Sequence, residues 1–370
     1  MVLTHRERFL RVFEFKNVDR VPNYEFGYWR ETIERWHREG LPLHIKTSRD
    51  IERYLGLEGL ESLEGLPIVI LPIVIGIWPP PREVVLKEEE DKEIVADGLG
   101  GIYIKKKDTS ATPYYIRYPI KDREDWKKIK KFLDPEAPGR IPLNWSDIIE
   151  KYKSRNYPLR VFVGSLCGWL RDWMGIERLS KAFYREPDWI EEMIDTIADM
   201  AVTILDKVLR DIVPDFAWFW EDIAYSKGPM ISPKLFEKYV VPRYKKITKI
   251  LNAYGVKIVV VDCDGDIGPL VPGWLEAGVN CMFPLEARYV DPYKLKKEFG
   301  EKILLMGGVD KRALVEGGKA VDKELERLAP LLEEGGYIPT VDHRVPPEVS
   351  FKNYLYYIGK KKEWLEKHHP

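Results

Sequence analysis

The chain of 370 residues contains no glutamine, only three cysteines and only six histidines. Three cysteines are far too few for a disulfide framework, whereas the hydrophobic fraction of 45% is sufficient for a large core. The absence of glutamine and the charged fraction of 32% are typical of proteins from thermophiles. Because histidine is scarce, a histidine at the end of a predicted strand is a clear candidate for chemistry.

Strong net charge and long apolar runs are also missing. The formal net charge of −1 gives no indication of binding to nucleic acid or to a charged membrane surface. The apolar run at 66–78 is too short to span a bilayer and is interrupted by Pro67 and Pro72. No secretion signal follows Met1. We therefore expect a soluble cytoplasmic protein that binds a small molecule and neither nucleic acid nor membrane, with its oligomeric state open.

Short runs rich in β-branched residues recur along the chain, and most are followed by a helical pattern. The clearest helix, at 187–212, has apolar residues at three- and four-residue spacing. Strands that alternate with helices favour a parallel sheet, and eight such strands favour closure into a barrel. We predict the α/β class, a (β/α)8 TIM barrel in one domain over 1–370, with strands at 21–26, 68–75, 159–163, 215–220, 256–261, 279–283, 302–306 and 336–340.

The region at 83–118 departs from this alternation. Its short apolar runs are separated by charged residues, and Asp97-Gly98 is a hairpin turn signal. We interpret the region as an antiparallel excursion between barrel strands rather than as a separate domain.

Polar side chains follow the predicted strands, and in a TIM barrel such residues line one cleft. The cleft would be rich in carboxylates, with one thiol and one imidazole. His343, Glu221, Asp222 and Asp262 are the catalytic candidates. The candidates for substrate binding are Glu25, Tyr28, Trp29, Ser165, Arg171, Tyr225, Glu286 and Asp342.

Each of these residues also has a structural interpretation. Glu221 and Asp222 could cap a helix, and Cys263 could be a small buried hydrophobic residue. His343 could bond a neighbouring carboxylate instead of a substrate. The sequence alone leaves these alternatives open.

Five segments carry a resemblance to a known family: 4–8, 18–22, 221–236, 335–338 and 343–348. With these motifs the chain resembles the uroporphyrinogen decarboxylase superfamily, which also contains cobalamin-linked methyltransferases. The resemblance covers essentially the whole chain and implies a (β/α)8 barrel. The motifs are specific for the superfamily and not for one activity.

The resemblance also implies candidate ligands for zinc. The methyltransferases carry a His-x-Cys motif after the fifth strand, where this chain has Val261-Asp262-Cys263, and a terminal Cys, where it has His343. Cys263 and His343 would then be zinc ligands, with Glu221 as a third of suitable type. The decarboxylases carry an Arg-Gln-Ala-Gly-Arg stretch after the first strand, and segment 24–30 has no match to it.

These departures favour a methyltransferase-like protein that moves a methyl group between a corrinoid or other methyl donor and a thiol or other small acceptor. Its cofactors would be zinc and a corrinoid supplied by a partner protein. The first alternative is a decarboxylase acting on a porphyrinogen or another small carboxylic acid. The second alternative is a non-catalytic protein that binds a corrinoid or another ligand.

Overall fold

The computed structural model describes residues 2–58, 69–107 and 112–370. Its strands are β1 (Val69–Ile70), β2 (Val84–Glu88), β3 (Lys92–Ala96), β4 (Ile102–Lys106), β5 (Tyr114–Arg117), β6 (Leu159–Gly164), β7 (Phe216–Trp220), β8 (Ala224–Tyr225), β9 (Gly228–Pro229), β10 (Ile258–Asp262), β11 (Cys281–Leu285), β12 (Leu304–Gly307) and β13 (Tyr337–Ile338).

The α-helices precede, separate and follow these strands. They are α1 (His5–Phe13), α2 (Arg30–Arg38), α3 (Ser48–Leu55), α4 (Arg123–Lys130), α5 (Trp145–Lys153), α6 (Gly168–Met174), α7 (Ile176–Arg185), α8 (Pro187–Val208), α9 (Pro233–Leu235), α10 (Val241–Ala253), α11 (Val271–Glu276), α12 (Pro292–Phe299), α13 (Lys311–Glu316), α14 (Lys319–Glu334) and α15 (Phe351–Lys367). No helix of the described ranges is long and apolar enough to cross a membrane.

The central sheet has seven parallel strands in the order β1-β6-β7-β10-β11-β12-β13. Helices follow its strands, so the predicted α/β TIM-barrel architecture is confirmed. A parallel sheet that is covered on both faces needs apolar side chains on both faces. In β11, for example, all five residues are buried. Because all strands run the same way, their carboxyl ends meet at one mouth of the barrel.

The prediction of a first strand at 21–26 is wrong, since this segment forms no strand of the central sheet. Pro22 has no N–H to donate to a ladder. The N–H of Val341 goes instead to the carboxylate of Glu25, at 3.0 Å. The second predicted strand shrinks to β1, and Ile68 lies outside the described residues.

The antiparallel excursion is confirmed as a four-stranded sheet in the order β2-β3-β4-β5. Asp97 shapes the connection between β3 and β4, because its Oδ1 accepts the N–H groups of Leu99 and Gly101 at 2.8 Å each. Whether this sheet belongs to the same domain as the barrel stays a prediction.

Candidate active site

A central cavity of about 380 Å³ opens at the carboxyl ends of the strands. Most of its lining residues lie within or just after strands of the central sheet. Phe26 ends segment 21–26, Trp29 comes shortly after it, and the last two lining residues lie in the loop after β13. Its size is at the lower end of the range for small-molecule sites. The lining residues are Phe26, Trp29, Arg160, Phe162, Trp218, Trp220, Asp222, Asp262, Asp264, Phe283, His343 and Arg344.

Aromatic rings form most of the apolar wall. Trp29 stacks on His343 with ring centroids 5.5 Å apart and planes inclined by 26°. Phe26 meets the same imidazole edge-on at 5.6 Å, and Phe283 contacts both Phe26 and Trp218. The imidazole is therefore in contact with two aromatic rings at the wall of the central cavity.

Three aspartates converge on the floor of the central cavity. Asp222 Oδ1 accepts the N–H of Asp264 at 3.2 Å. Burial and the nearby charge of Asp264 raise the pKa of Asp222 to about 6. Burial, followed by the charges of Asp222 and Asp264, raises the pKa of Asp262 well above its usual range. Burial therefore favours the neutral form of Asp262, in which the carboxyl group can donate a hydrogen bond.

The backbone of Asp222 adds a second unusual feature. Its φ of 48° lies in the left-handed region, which few residues other than glycine occupy. Such a conformation costs about 1–3 kcal/mol and persists where the surrounding structure imposes it, often at functional sites. The strained turn places Asp222 in the lining of the cavity, whereas the neighbouring Glu221 is fully buried outside that lining.

His343 pairs with Asp264, with 3.3 Å between Nε2 and Oδ2. Burial lowers the pKa of His343, but the hydrogen bond and the charge of Asp264 outweigh burial and raise this pKa above 6.5. The second carboxylate oxygen of Asp264, Oδ1, is buried and bonded to no described residue. The pair has the arrangement of a base and the carboxylate that orients it.

Guanidinium groups lie against the aromatic walls. Arg160 lies 5.0 Å from the ring centroid of Trp218, and Arg344 lies 5.7 Å from that of Trp29. Arg171, a predicted substrate-binding residue, lies 5.2 Å from Trp220 and donates to the carbonyl of Asp222. These cations offset the aspartates, so the cavity is not simply acidic.

Sequence reasoning missed Arg160 as a site residue. It is the second residue of β6, inside the strand and not after it. Its signal was the alternation of that strand, in which Leu159, Val161 and Val163 are buried while Arg160 and Phe162 turn to the cavity.

Glu221 is not a cavity residue. It is fully buried, and its oxygens accept the N–H groups of Leu166, Cys167 and Gly168 at 2.7–2.9 Å. The hydroxyls of Ser165 and Tyr244 donate to it as well, at 3.2 and 2.5 Å, so Ser165 is also committed to this cluster. Both residues therefore fix the start of α6 and do not meet a substrate in the central cavity.

Glu25 and Tyr28 are likewise held by the last helix. Glu25 forms an ion pair with Lys361 at 2.6 Å, and both side chains are 0% exposed. The hydroxyl of Tyr28 lies 2.6 Å from that of Tyr354. Tyr225 is 47% exposed and lies outside the lining of the central cavity. None of the three is placed to bind a substrate there.

Glu286 and Asp342 connect the loops beside the central cavity. Lys311 Nζ lies 3.2 Å from Glu286 and 3.7 Å from Asp342. Glu286 also accepts the N–H of Gly265 at 2.7 Å, and Asp342 accepts that of Ala287 at 3.2 Å. Burial raises the pKa of Asp342 to about 6, although Lys311 opposes the shift. Both carboxylates support the loops that carry Asp264 and His343.

The zinc ligands implied by the resemblance are not assembled. Among the described residues, no three His, Cys, Asp or Glu side chains form a group that could hold a metal ion. Glu221 is saturated by its hydrogen bonds, and His343 is paired with Asp264. Cys263 Sγ is buried, and its contact is the carbonyl of Asp264 at 3.7 Å. Burial raises the pKa of this thiol, which opposes the thiolate form that zinc requires. The residues present therefore do not fit a zinc ion.

Comparisons with known proteins give the class of this fold and site. The family model for uroporphyrinogen decarboxylase (URO-D) matches residues 94–364. The chain belongs to the uroporphyrinogen decarboxylase family, as the motifs at 221–236, 335–338 and 343–348 had indicated.

Two curated relatives are named uroporphyrinogen decarboxylase. The protein from Maricaulis maris is 25% identical over 173 residues, which are 46% of this chain and 48% of the relative. The protein from Rhizorhabdus wittichii is 25% identical over 146 residues, 39% of this chain and 40% of the relative. The chain thus matches half or less of the length of these relatives.

A solved structure, a methyltransferase from Methanosarcina mazei, shares the fold over nearly the whole chain. Its TM-score is 0.59 at 17% sequence identity, and the match covers 98% of this chain and 99% of the other. At this identity the similarity concerns the fold alone.

Proposed function

We propose that this chain is a methyltransferase that methylates a small thiol in its central cavity, with His343 as the base. The observation that carries the proposal is the pairing of His343 with Asp264 at 3.3 Å, beside Asp262, whose pKa burial raises, and against aromatic walls. A thiol is a weak nucleophile until it loses its proton, and a positioned base meets that need without a metal.

In the proposed step the thiol gives its proton to the ring nitrogen of His343 that does not face Asp264. The sulfur electron pair then forms the new bond to the methyl carbon, and the bond between that carbon and the donor breaks. The electron pair of the broken bond stays with the donor. A methylated corrinoid carried by a partner protein would supply the methyl group, as the family resemblance implies.

Three groups stabilise charge during this step. Asp264 faces the imidazolium that forms, and its carboxylate lowers the energy of that cation. Asp262, whose neutral form burial favours, can donate a hydrogen bond to the developing thiolate. Arg160 supplies positive charge from the wall. These interactions gain strength where aromatic walls such as Trp29, Phe26 and Phe283 lower the local polarity.

Decarboxylation is the second candidate, and one observation favours it. Arg160, Arg171 and Arg344 lie at the central cavity or beside it and could bind a carboxylate. Asp222 would then face the cationic ring formed when carbon is protonated. Three arginines paired with aromatic faces and neighbouring aspartates are a poor match for a substrate with eight carboxylates.

The two candidates separate in one anaerobic experiment. We expect the protein to demethylate methylcobalamin in the presence of a small thiol, seen as a change in cobalamin absorbance. We expect no useful conversion of uroporphyrinogen to coproporphyrinogen. The Asp262→Asn variant should lose methyl transfer, because an amide is a weaker hydrogen-bond donor than a carboxylic acid. Asp266→Asn, in the same loop but outside the cavity lining, should keep it.

Two outcomes would contradict the proposal. Production of coproporphyrinogen at enzyme-like rates, without methyl transfer, would favour the decarboxylase. Absence of both activities, with ligand binding intact, would favour the non-catalytic binding protein.

A further inference from the structure

The four-stranded sheet of the excursion has an open edge at β2. Among the described residues, β3 is the one strand that pairs with β2, and none of the backbone groups of β2 bonds elsewhere. All five residues of β2 are exposed, including the apolar side chains of Val84, Val85 and Leu86 at 49–55%. An unpaired edge that carries consecutive exposed apolar residues is a template for pairing with another chain.

The opposite edge, β5, is better protected. Pro113 and Pro119 flank it, and proline cannot donate to a further ladder. The side chain of Arg117, its last residue, donates to the carbonyl of Gly100 in the connection between β3 and β4 at 2.8 Å. Segment 82–88 at the other edge contains no proline. Of the two edges, β2 is therefore the one suited to further pairing.

The sequence of the β2 edge is self-complementary. Segment 82–88 reads Arg-Glu-Val-Val-Leu-Lys-Glu. When two copies of this segment run antiparallel around a two-fold axis at Val85, the apolar residues lie opposite one another: Val85 faces Val85, and Val84 faces Leu86. Cross-strand apolar pairs of this kind stabilise a sheet. Moving the axis to either neighbouring residue places a charged side chain opposite an apolar one, so the sequence favours a single register.

The charges in the same register are complementary as well. Arg82 lies opposite Glu88 of the second copy, and Glu83 lies opposite Lys87 of the second copy. The two-fold axis repeats each of these pairs. Within one chain, Lys87 and Glu88 form ion pairs at the surface, which contribute little and can be exchanged. Opposite charges directly across two strands stabilise the pairing, whereas like charges oppose it.

We propose that two copies of this chain associate through their β2 edges, antiparallel around Val85, and join their four-stranded sheets into one sheet. Such a contact is closed by its own symmetry, so association stops at the dimer. A bulge between Val85 and Lys87 increases the local twist, so the side-chain pairs carry most of the contact rather than an unbroken ladder. The described lining of the central cavity contains no residue of β2, and the proposal does not depend on methyl transfer.

Sedimentation velocity of the full chain over a range of concentrations tests the association. We expect a monomer of 43.3 kDa at low concentration and a species of twice that mass at high concentration. One pair of strands makes a small contact, so the dissociation constant should be about 10 µM, weaker than for interfaces of standard size. Raising the salt concentration should weaken the association, because the charge pairs are exposed.

Two charge reversals locate the contact. Arg82→Glu places a carboxylate opposite Glu88 of the second copy, and Glu88→Arg places a guanidinium opposite Arg82 of the second copy. Each variant alone should self-associate about tenfold more weakly than the wild type, because two-fold symmetry doubles each repulsion. An equimolar mixture of the two restores opposite charges at both sites and should associate within about threefold of the wild type. Misfolded chains would not recover on mixing. Lys106→Glu, an exposed charge reversal on β4, is the matched control and should change nothing.

Four outcomes would overturn the proposal. The first is a chain that stays monomeric at about 100 µM, tenfold above the expected constant. The second is self-association of Arg82→Glu or Glu88→Arg that equals the wild type, because the contact would then lie elsewhere. The third is a mixture of these variants that associates no better than either alone. The fourth is growth beyond the dimer with concentration, which would indicate a head-to-tail contact such as β2 with β5. Every readout is self-association, so failure of the methyltransferase proposal leaves it unaffected.

Discussion

Replacing His343 by glutamine is expected to lower kcat for the proposed methyl transfer to a thiol by about 100- to 10,000-fold. Glutamine keeps a polar group of similar length but cannot accept the thiol proton. The stacked position between Trp29 and Phe26 should hold the amide in place, so binding of the thiol should change little. The loss is therefore expected in kcat more than in KM.

His368 provides the matched control for this change. It also pairs with a carboxylate, that of Glu333 at 2.6 Å, but directly after the last helix and outside the central cavity. His368→Gln should leave kcat and KM unchanged. If His343→Gln keeps kcat within about threefold of the wild type, proton transfer by His343 is not part of the rate-limiting chemistry.

The largest effect on stability is expected from Lys361→Met. This change leaves Glu25 as a buried carboxylate without its cationic partner, and it removes the donor to the carbonyl of Tyr24 at 2.6 Å. Breaking a fully buried ion pair from one side costs about 3–5 kcal/mol. Urea unfolding followed by circular dichroism should show this loss in the free energy of unfolding.

Two further variants separate the ion pair from general disturbance of the helix. The neighbouring Lys360 is exposed and pairs with Glu363 at 3.3 Å, so Lys360→Met should change stability by less than about 0.5 kcal/mol. The double variant Glu25→Gln/Lys361→Met removes both charges and should recover part of the loss. A Lys361→Met variant as stable as Lys360→Met would contradict this account, because it would mean that Lys361 is not needed to stabilise the buried carboxylate of Glu25.

The location of the site could be predicted from the sequence, but not the direction of each side chain. The rule that residues after parallel strands share one mouth correctly brought Asp222, Asp262 and His343 together. It failed for Glu221, which precedes Asp222 by one residue and is buried at the start of α6. A Cβ at Gly168 would lie 2.2 Å from the carbonyl oxygen of Glu221, a close approach that sequence patterns do not reveal.

Partners distant along the chain explain the other differences. Glu25 lies near the end of the predicted strand 21–26, but its partner Lys361 is 336 positions away on α15. The same carboxylate accepts the N–H of Val341 and so replaces ladder bonding along 21–26. Asp264 belongs to the central cavity because it pairs with His343, a contact that joins the ends of β10 and β13. Long-range pairings of this kind leave no periodic signal.

The pH dependence of kcat/KM for the wild type and for Asp264→Asn tests the central claim most directly. A base must be unprotonated, so activity should rise as the pH increases through the pKa of His343, which Asp264 raises above 6.5. Removing the carboxylate of Asp264 lowers that pKa, so the rise in Asp264→Asn should move to lower pH, with a smaller maximum. The ionisation of the thiol itself is the same for both proteins and cannot produce this shift. Coincident rising limbs for the two proteins, or activity independent of pH between about 5 and 8, would contradict the assignment of His343 as the base.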